Sequence, residues 1–132
     1  MPTRLSDSVK IRYLDANAVM EELHRAARRL KASNVNVMRA VLFGSLVEGT
    51  YGPGSDADVL VVLDKDDRRK IDRIPEFSFA FSEVSIPVDV FPLTEEEIER
   101  ELRDENFFLK RALKEGVDLA PVRRDSEIQI GE

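Results

Sequence analysis

Two aspartates, Asp56 and Asp58, are the residues of this 132-residue chain whose type and spacing most directly suggest chemistry. They open the apolar run Val59–Leu63, which is typical of a buried β-strand. Alternate strand residues point to the same face, so the two carboxylates would stand roughly 6.5 Å apart. Such a pair repels itself and titrates abnormally unless a cation lies between them. Mg²⁺ holding phosphate oxygens is the common solution, so the pair predicts a site for a metal-bound nucleotide.

A third aspartate, Asp89, stands between Val88 and Val90 in another apolar segment, where an unpaired charge is costly. On its own, such an acid is typical of an exposed sheet edge. If its strand neighbours the one that carries Asp56 and Asp58, three carboxylates converge. Three carboxylates can hold two metal ions roughly 3.5–4 Å apart, which stabilises both the attacking and the leaving oxygen in phosphoryl or nucleotidyl transfer.

A Gly-Ser pair, Gly44–Ser45, follows the apolar run VMRAVLF and is a candidate phosphate-binding turn. Glycine lets the backbone approach a phosphate closely. The amides after the strand and the Ser45 hydroxyl can donate hydrogen bonds to the phosphate oxygens, and a helix beginning there would add its dipole. A lone Gly-Ser carries little information, but its place before the Asp-x-Asp and the Val-Asp-Val makes the combined pattern specific.

The elements that must position these residues are read from periodicity and caps. Asp15 is the predicted N-cap of a helix that ends at Ser33-Asn34, and strands are predicted over 36–43, 59–63 and 86–91. Pro87 favours an edge or strand-entry position for the third strand. Apolar residues spaced by three and four over 71–84 predict a helix, which Pro75 should break or begin.

Thr94 and Glu97 form a Thr-x-x-Glu capping box, which predicts a helix start at Thr94. The apolar periodicity changes phase near 103–104, so we expect two helices or one bent helix, with Gly116 as the C-terminal stop. Residues 117–122 read as a short extended segment. The predicted fold is an α/β (α+β) sandwich, with a small mixed sheet of three to four strands flanked by helices.

Composition limits the function classes. The chain has a size typical of one domain, expected over 1–132 with a core of about 15–119 and a polar tail at 123–132. Its net charge of −6 argues against sequence-independent nucleic-acid binding, which needs a basic footprint. The chain has no cysteine, which excludes disulfides and thiolate metal sites. It also has no apolar run long enough for a membrane span, so we expect a cytoplasmic protein without membrane contact.

The order apolar-Gly-Ser, Asp-x-Asp-apolar and apolar-Asp-apolar resembles the nucleotidyltransferase superfamily of DNA polymerase beta type. At this size the chain looks like the minimal nucleotidyltransferases of bacteria and archaea, over about Asp15 to Leu119. The resemblance implies three groups of site residues. The residues Asp56, Asp58 and Asp89 would bind the metal ions and act in catalysis, with Asp89 near the nucleophile and helping to activate it. The triphosphate would be held by Gly44 and Ser45. Ser55 would assist them.

The resemblance also implies an activity and a partner. The activity is Mg²⁺-dependent transfer of a nucleoside monophosphate, most simply AMP from ATP, to an acceptor hydroxyl. Minimal nucleotidyltransferases are often paired with a helical HEPN-type protein in toxin–antitoxin modules, so we expect such a partner, and a homo-oligomer stays open. The chain departs from the family at Glu48, where members often carry an arginine. The alternative is therefore a catalytically weak or inactive nucleotide-binding protein that acts by binding its partner.

Overall fold

The computed structural model describes residues 15–48 and 56–121 and gives only the backbone of Ser45 and Glu48. Along the chain, the elements are α1 (Ala16–Ser33), β1 (Val37–Phe43), α2 (Ser45–Glu48), β2 (Ala57–Leu63), α3 (Lys70–Ala80), β3 (Val88–Thr94), α4 (Glu95–Arg103), α5 (Phe107–Glu115) and β4 (Val117–Asp118). The expected residues Ser55 and the tail 123–132 lie outside the described ranges.

The four strands form one mixed sheet in the order β3-β2-β1-β4. Strand β1 runs antiparallel to both β2 and β4, whereas β2 and β3 are parallel. Strand β3 therefore lies at an edge, as Pro87 predicted, and the Pro87 carbonyl accepts a hydrogen bond of 2.9 Å from the Ala57 amide. The expected α/β fold with a small mixed sheet flanked by helices is confirmed.

Helices cover both faces of the sheet, which divides the core in two. One apolar cluster joins α1 and α3 to the sheet through residues such as Leu23, Val61 and Phe77. The other joins α4 and α5 to the opposite face through residues such as Leu60, Ile98 and Leu109. Side chains alternate along β2, so its apolar residues belong to both clusters. This confirms the prediction that β2 is buried on both faces.

A β-bulge near the start of β1 sets its register against β2. Val37 pairs with Leu63 and Arg39 pairs with Val62, so two steps along β1 match one step along β2. The strand then pairs residue by residue as far as Phe43, which lies opposite Asp58. The register that the bulge establishes therefore decides which residue of β1 faces the candidate site.

Helix α1 has the expected start and end. The Asp15 side chain accepts a hydrogen bond of 3.2 Å from the Ala18 amide, and the Asn34 amide donates to the Leu30 carbonyl at 3.0 Å. The helix also ties down the chain after β4, because His24 Nδ1 donates to the Leu119 carbonyl at 2.7 Å. No helix within the described ranges combines the length and apolar character that crossing a membrane requires.

The expectation for helix α3 was wrong at Pro75. The helix begins at Lys70 and continues through the proline, which lies in its interior without breaking it. Tertiary contacts outweigh the missing backbone donor, since Arg73 and Phe77 on either side of Pro75 are almost fully buried. The helix stays anchored at both positions although one of its internal hydrogen bonds cannot form.

The region after β3 forms two helices, as the change of phase predicted. The capping box is present, with the Glu97 amide donating to Thr94 Oγ1 at 3.2 Å and the Thr94 amide donating to Glu97 Oε1 at 2.9 Å. Asn106 caps α5 through the Leu109 amide at 3.0 Å. Gly116 ends α5, as expected, and a Cβ there would collide with the Ala112 carbonyl and the Val41 side chain.

Candidate active site

The candidate site lies where β1 ends and where β2 and β3 begin. Asp58, the second residue of β2, pairs with Phe43 of β1 on one side and with Asp89 of β3 on the other. Side chains alternate along a strand, so Asp58 shares its face with Leu60, and Asp89 shares its face with Phe91. Those apolar residues belong to the cluster beneath α4 and α5. The sheet register therefore brings two of the three expected aspartates side by side on the α5 face.

Gly44 lies directly against the Asp58 carboxylate. Its φ of +93° is a conformation that favours glycine, and a Cβ at this position would stand 2.6 Å from Asp58 Oδ2. The sequence suggested that the backbone of Gly44 must approach a phosphate closely. The structure adds a requirement of its own, because a side chain here would displace the Asp58 carboxylate from its position.

The electrostatics of the site centre on Asp58, which is partly buried. Burial raises the pKa of this carboxyl above its usual range, and the negative charges of Asp89 and Asp56 raise it further. Asp56 precedes β2 and Asp89 lies on the edge strand, and both side chains are exposed. The negative charges of the three carboxylates therefore repel one another, and a bound cation would reduce this repulsion.

A divalent cation fits this donor set by its chemistry, because Mg²⁺ prefers carboxylate and phosphate oxygens. In this structure, however, the candidate ligand side chains are not arranged around a single position that a metal ion could occupy. Across residues 15–48 and 56–121, no group of three or more histidine, cysteine, aspartate or glutamate side chains is placed to hold a metal ion. The carboxylates that the sequence grouped together are neighbours here, and their roles as metal ligands stay a prediction.

The Gly-Ser turn takes the expected place at the end of β1. The Val47 amide donates to the Gly44 carbonyl at 3.1 Å, and the residues from Ser45 form α2, which has only four residues. A single turn contributes little dipole, so the backbone of the turn matters more than the helix. The side chains of Ser45 and Glu48, like all of Ser55, lie outside what the structure describes.

A pocket of about 320 Å³ opens between the end of β1 and helix α5. Gly44 and Asp58 are among its lining residues, so the pocket adjoins the candidate catalytic carboxylates. The lining residues, from the sheet outward to the helix, are Phe43, Gly44, Val47, Asp58, Phe107, Phe108, Arg111, Ala112 and Glu115. Sequence analysis identified Gly44 and Asp58 but missed the α5 side of the pocket.

Three aromatic rings pack together beside this pocket. Phe108 meets Phe43 edge to face with ring centroids 5.1 Å apart, and Phe91 lies 5.6 Å from both rings. Phe107 and Phe108 nevertheless stay 72% and 55% exposed. The sequence carried a signal for this, since two adjacent phenylalanines at the start of an amphipathic helix cannot both face the core.

Arg73, which sequence analysis also missed, binds β3 near the end of the strand that is farther from the site. Its side chain is 2% exposed, and its guanidinium binds the two Glu97 carboxylate oxygens at 2.7 and 2.9 Å. The guanidinium also donates to the carbonyls of Pro92, Asp66 and Arg68 at 2.7–3.1 Å. We call these residues the Arg73 clamp: it joins the loop after β2, the end of β3 and the start of α4.

Comparisons with known proteins bear on the fold and on the family of this chain. A solved structure from Sulfolobus solfataricus, assigned as a nucleotidyltransferase, is 22% identical with a TM-score of 0.54, covering 78% of this chain and 80% of that one. At that identity the likeness shows the fold. A second structure, described as a toxin-antitoxin with AMP-PNP, is 20% identical, covering 87% of this chain and 80% of that one. Its TM-score of 0.44 is too low to support an argument.

No curated protein matched the sequence significantly. The model of the nucleotidyltransferase domain family, in contrast, matches residues 21–125, which include the Gly-Ser turn and all three aspartates. This match covers most of the chain, whose sheet carries two of those aspartates side by side next to the glycine turn. The chain therefore belongs to the nucleotidyltransferase domain family.

Proposed function

We propose that this protein transfers a nucleoside monophosphate, most simply AMP from ATP, to an acceptor hydroxyl in a reaction that depends on Mg²⁺. One observation carries the proposal: Asp58 lies in register with Asp89 and packs on the backbone of Gly44. This places two carboxylates next to a turn that can take phosphate. Family membership supports the reaction class, and the donor chemistry supports Mg²⁺.

The reaction is an in-line displacement at the α-phosphorus. The acceptor oxygen bonds to this phosphorus, the bond to the oxygen that bridges to the β-phosphate breaks, and pyrophosphate leaves with the bonding electrons. Asp89 accepts the proton of the acceptor hydroxyl and so helps to activate that hydroxyl. Two Mg²⁺ ions held by the carboxylates would stabilise the charge on the entering and leaving oxygens.

The other residues bind and orient the nucleotide. In this proposal Asp56 and Asp58 hold the metal–triphosphate, and the turn at Gly44 and Ser45 donates backbone amides to its oxygens, assisted by Ser55. The raised pKa of Asp58 supports this assignment, since a carboxyl that burial and two like charges disfavour gains most from a bound cation.

Calorimetric titration of ATP, with and without Mg²⁺, tests the site. Wild-type protein should bind ATP only when Mg²⁺ is present, and the double variant Asp56→Asn/Asp58→Asn should lose that binding. Asp64→Asn is the matched control, because Asp64 is an exposed aspartate just beyond the far end of the same strand. Equal binding by the wild type and the double variant would rule out these carboxylates as the triphosphate site.

We propose further that the acceptor lies on a protein partner of helical HEPN type. The resemblance to minimal nucleotidyltransferases supports this. Incubating a candidate partner with ATP labelled on the α-phosphate should transfer the label to the partner. The label should be absent from the same incubation with the Asp58→Asn variant.

A second function is favoured by Glu48, which places an acid where members of the superfamily often carry an arginine. A negative side chain there would disfavour a triphosphate, so a protein that neutralises its partner by contact alone is the alternative. The labelling experiment separates the two. If the partner is neutralised equally well by wild type and Asp58→Asn, with no label transferred, the protein acts by binding.

A further inference from the structure

The pocket between β1 and α5 is lined by two chemically different sets of residues. One set is Gly44 with the Asp58 carboxylate, and the other is the pair of adjacent phenylalanines Phe107 and Phe108. A volume of about 320 Å³ falls within the range of small-molecule sites. A lining that combines aromatic rings with a carboxylate beside a glycine turn matches a ligand that joins a flat, apolar group to a highly charged one.

The aromatic residues of the lining form a surface on which a flat group can stack. The Phe108 ring packs against Phe43 and Phe91, with ring centroids 5.1 and 5.6 Å away. More than half of the Phe108 surface nevertheless stays exposed. A ring that is fixed in place loses little entropy when a second ring stacks on it. Leaving two adjacent phenylalanines in water is costly, and such exposure marks a binding surface.

The helix also supplies polar groups at this pocket. Arg111 and Glu115 both line it, one turn apart on α5, with Arg111 Nε 3.0 Å from Glu115 Oε1. Although the two side chains pair with each other, a guanidinium and a carboxylate are the kinds of group that recognise the edge of a heteroaromatic ring. A purely apolar occupant would gain nothing from these groups.

We propose that this pocket holds the nucleobase of the bound nucleoside triphosphate, with the base stacked on Phe108 and its polar edge facing Arg111 and Glu115. The inference rests on the proposed function, since it takes the triphosphate to lie at Gly44 and Asp58. The position of the pocket supports it: the lining includes Gly44 and Asp58 but not Asp89, so the base lies on the turn side and the Asp89 side stays open to the acceptor.

The test compares two ligands that share phosphates but differ in the base. Titrations with Mg²⁺–ATP and with Mg²⁺–tripolyphosphate are made on the wild type, Phe108→Leu and Phe108→Tyr. Base stacking on an aromatic ring should make Phe108→Leu bind ATP roughly 5- to 150-fold more weakly. Tripolyphosphate should bind both proteins within about twofold, and Phe108→Tyr should keep wild-type ATP affinity because it keeps the aromatic face.

Two further variants control for folding and for general exposure. Phe107 lines the pocket, so Phe107→Ala should weaken ATP binding. Phe107 is 72% exposed and its one ring contact within the described chain is with Lys110 Nζ, 5.7 Å from the centroid, so the melting temperature should change little. Phe79→Ala removes an equally exposed phenylalanine from α3, away from the pocket, and should bind both ligands as the wild type does.

The outcomes separate the inference from the proposed function. Unchanged ATP affinity in Phe108→Leu and Phe107→Ala, or an equal loss for ATP and tripolyphosphate, would overturn the nucleobase pocket and leave the metal–triphosphate site standing. If the wild type binds neither ligand in Mg²⁺, the proposed function fails and the inference falls with it. A selective loss for ATP supports both.

Discussion

At the scale of single residues, Gly44 and Asp58 act as one unit. The glycine adopts φ +93° at the end of β1, and the Asp58 carboxylate occupies the space that a side chain would need. Conformation and close approach therefore point to the same residue type. The consequence is that the geometry of the aspartate depends on the absence of a side chain fourteen residues earlier in the chain.

Replacing Gly44 with alanine tests this dependence. The added Cβ would meet Asp58 Oδ2 at 2.6 Å, and a non-glycine residue at positive φ costs about 1–3 kcal/mol. We expect urea denaturation to show a loss of that size and calorimetry to show weaker Mg²⁺–ATP binding, because Asp58 must move. Gly44→Ala with wild-type stability and affinity would show that the chain tolerates a side chain here.

Asp58 should cost stability in the absence of metal. A carboxyl whose pKa is raised in the folded state favours the protonated form there, so its ionised form at pH 7 destabilises the folded protein. We expect Asp58→Asn to raise the melting temperature by a few degrees in metal-free buffer and to abolish the stabilisation by Mg²⁺–ATP. Asp64→Asn should change neither value, and a lower melting temperature for Asp58→Asn would contradict the argument.

At the scale of elements, the Arg73 clamp decides how β3 and α4 are held. A nearly buried guanidinium joins the loop after β2, the end of β3 and the start of α4, through a bidentate pair with Glu97 and three backbone carbonyls. Glu97 also completes the capping box of α4. One glutamate therefore serves both the start of a helix and a tertiary contact that supports the strand of Asp89.

Removing the buried cation should be costly. Arg73→Met removes the guanidinium that donates to Glu97 and to three carbonyls, so we expect a loss of roughly 3–5 kcal/mol in the free energy of unfolding, measured with urea. Arg69→Met is the matched control, because Arg69 pairs with Asp72 on the surface and should cost less than about 1 kcal/mol. The double change Arg73→Met/Glu97→Leu should recover part of the loss.

The same clamp predicts how stability depends on pH. The Arg73 guanidinium, through its hydrogen bonds, lowers the pKa of Glu97 from 4.5 to about 2. Because the folded-state pKa is the lower one, the stabilisation is fully present above pH 4.5 and is lost as pH falls towards about 2. Thermal melts of Glu97→Gln should therefore depend less steeply on pH between about 5 and 2 than melts of the wild type or of Glu99→Gln.

At the scale of the whole molecule, the sheet separates the apolar cluster beneath α1 and α3 from the face that carries the candidate site. The helices α1 and α3 pack on one face, whereas Asp58, Asp89 and the pocket belong to the other, beneath α5. Each face has its own apolar cluster, and the central strand β2 contributes to both. A change in the first cluster should therefore alter how well the protein folds without altering what the folded site binds.

Leu23→Ala tests this separation. Leu23 lies in α1, is fully buried, and belongs to the cluster on the face opposite the site. We expect a loss of about 2–5 kcal/mol in the free energy of unfolding, since the substitution leaves a cavity. Mg²⁺–ATP affinity, measured at a temperature where the variant is folded, should stay within about twofold of wild type. A larger change in affinity would show that the two faces are coupled.

Local patterns were enough to predict much of this protein. The caps at Asp15 and Thr94 and the apolar runs of β1 and β2 act between residues close in sequence, so the helix starts, most strands and the resemblance to nucleotidyltransferases followed from them. Pro75 shows the limit of such patterns. Its helix persists because Arg73 and Phe77 are buried by elements distant in the chain.

Long-range pairing decided the rest of the candidate site. The register that sets Asp58 beside Asp89, the packing of Asp58 on Gly44, and the meeting of Phe108 with Phe43 each join residues tens of positions apart or on different elements. No periodicity or cap encodes such contacts, because they depend on how the strands align and how α5 packs across them. The sequence therefore determined which residue types could do chemistry, and the tertiary structure determined which of them lie close enough to do it together.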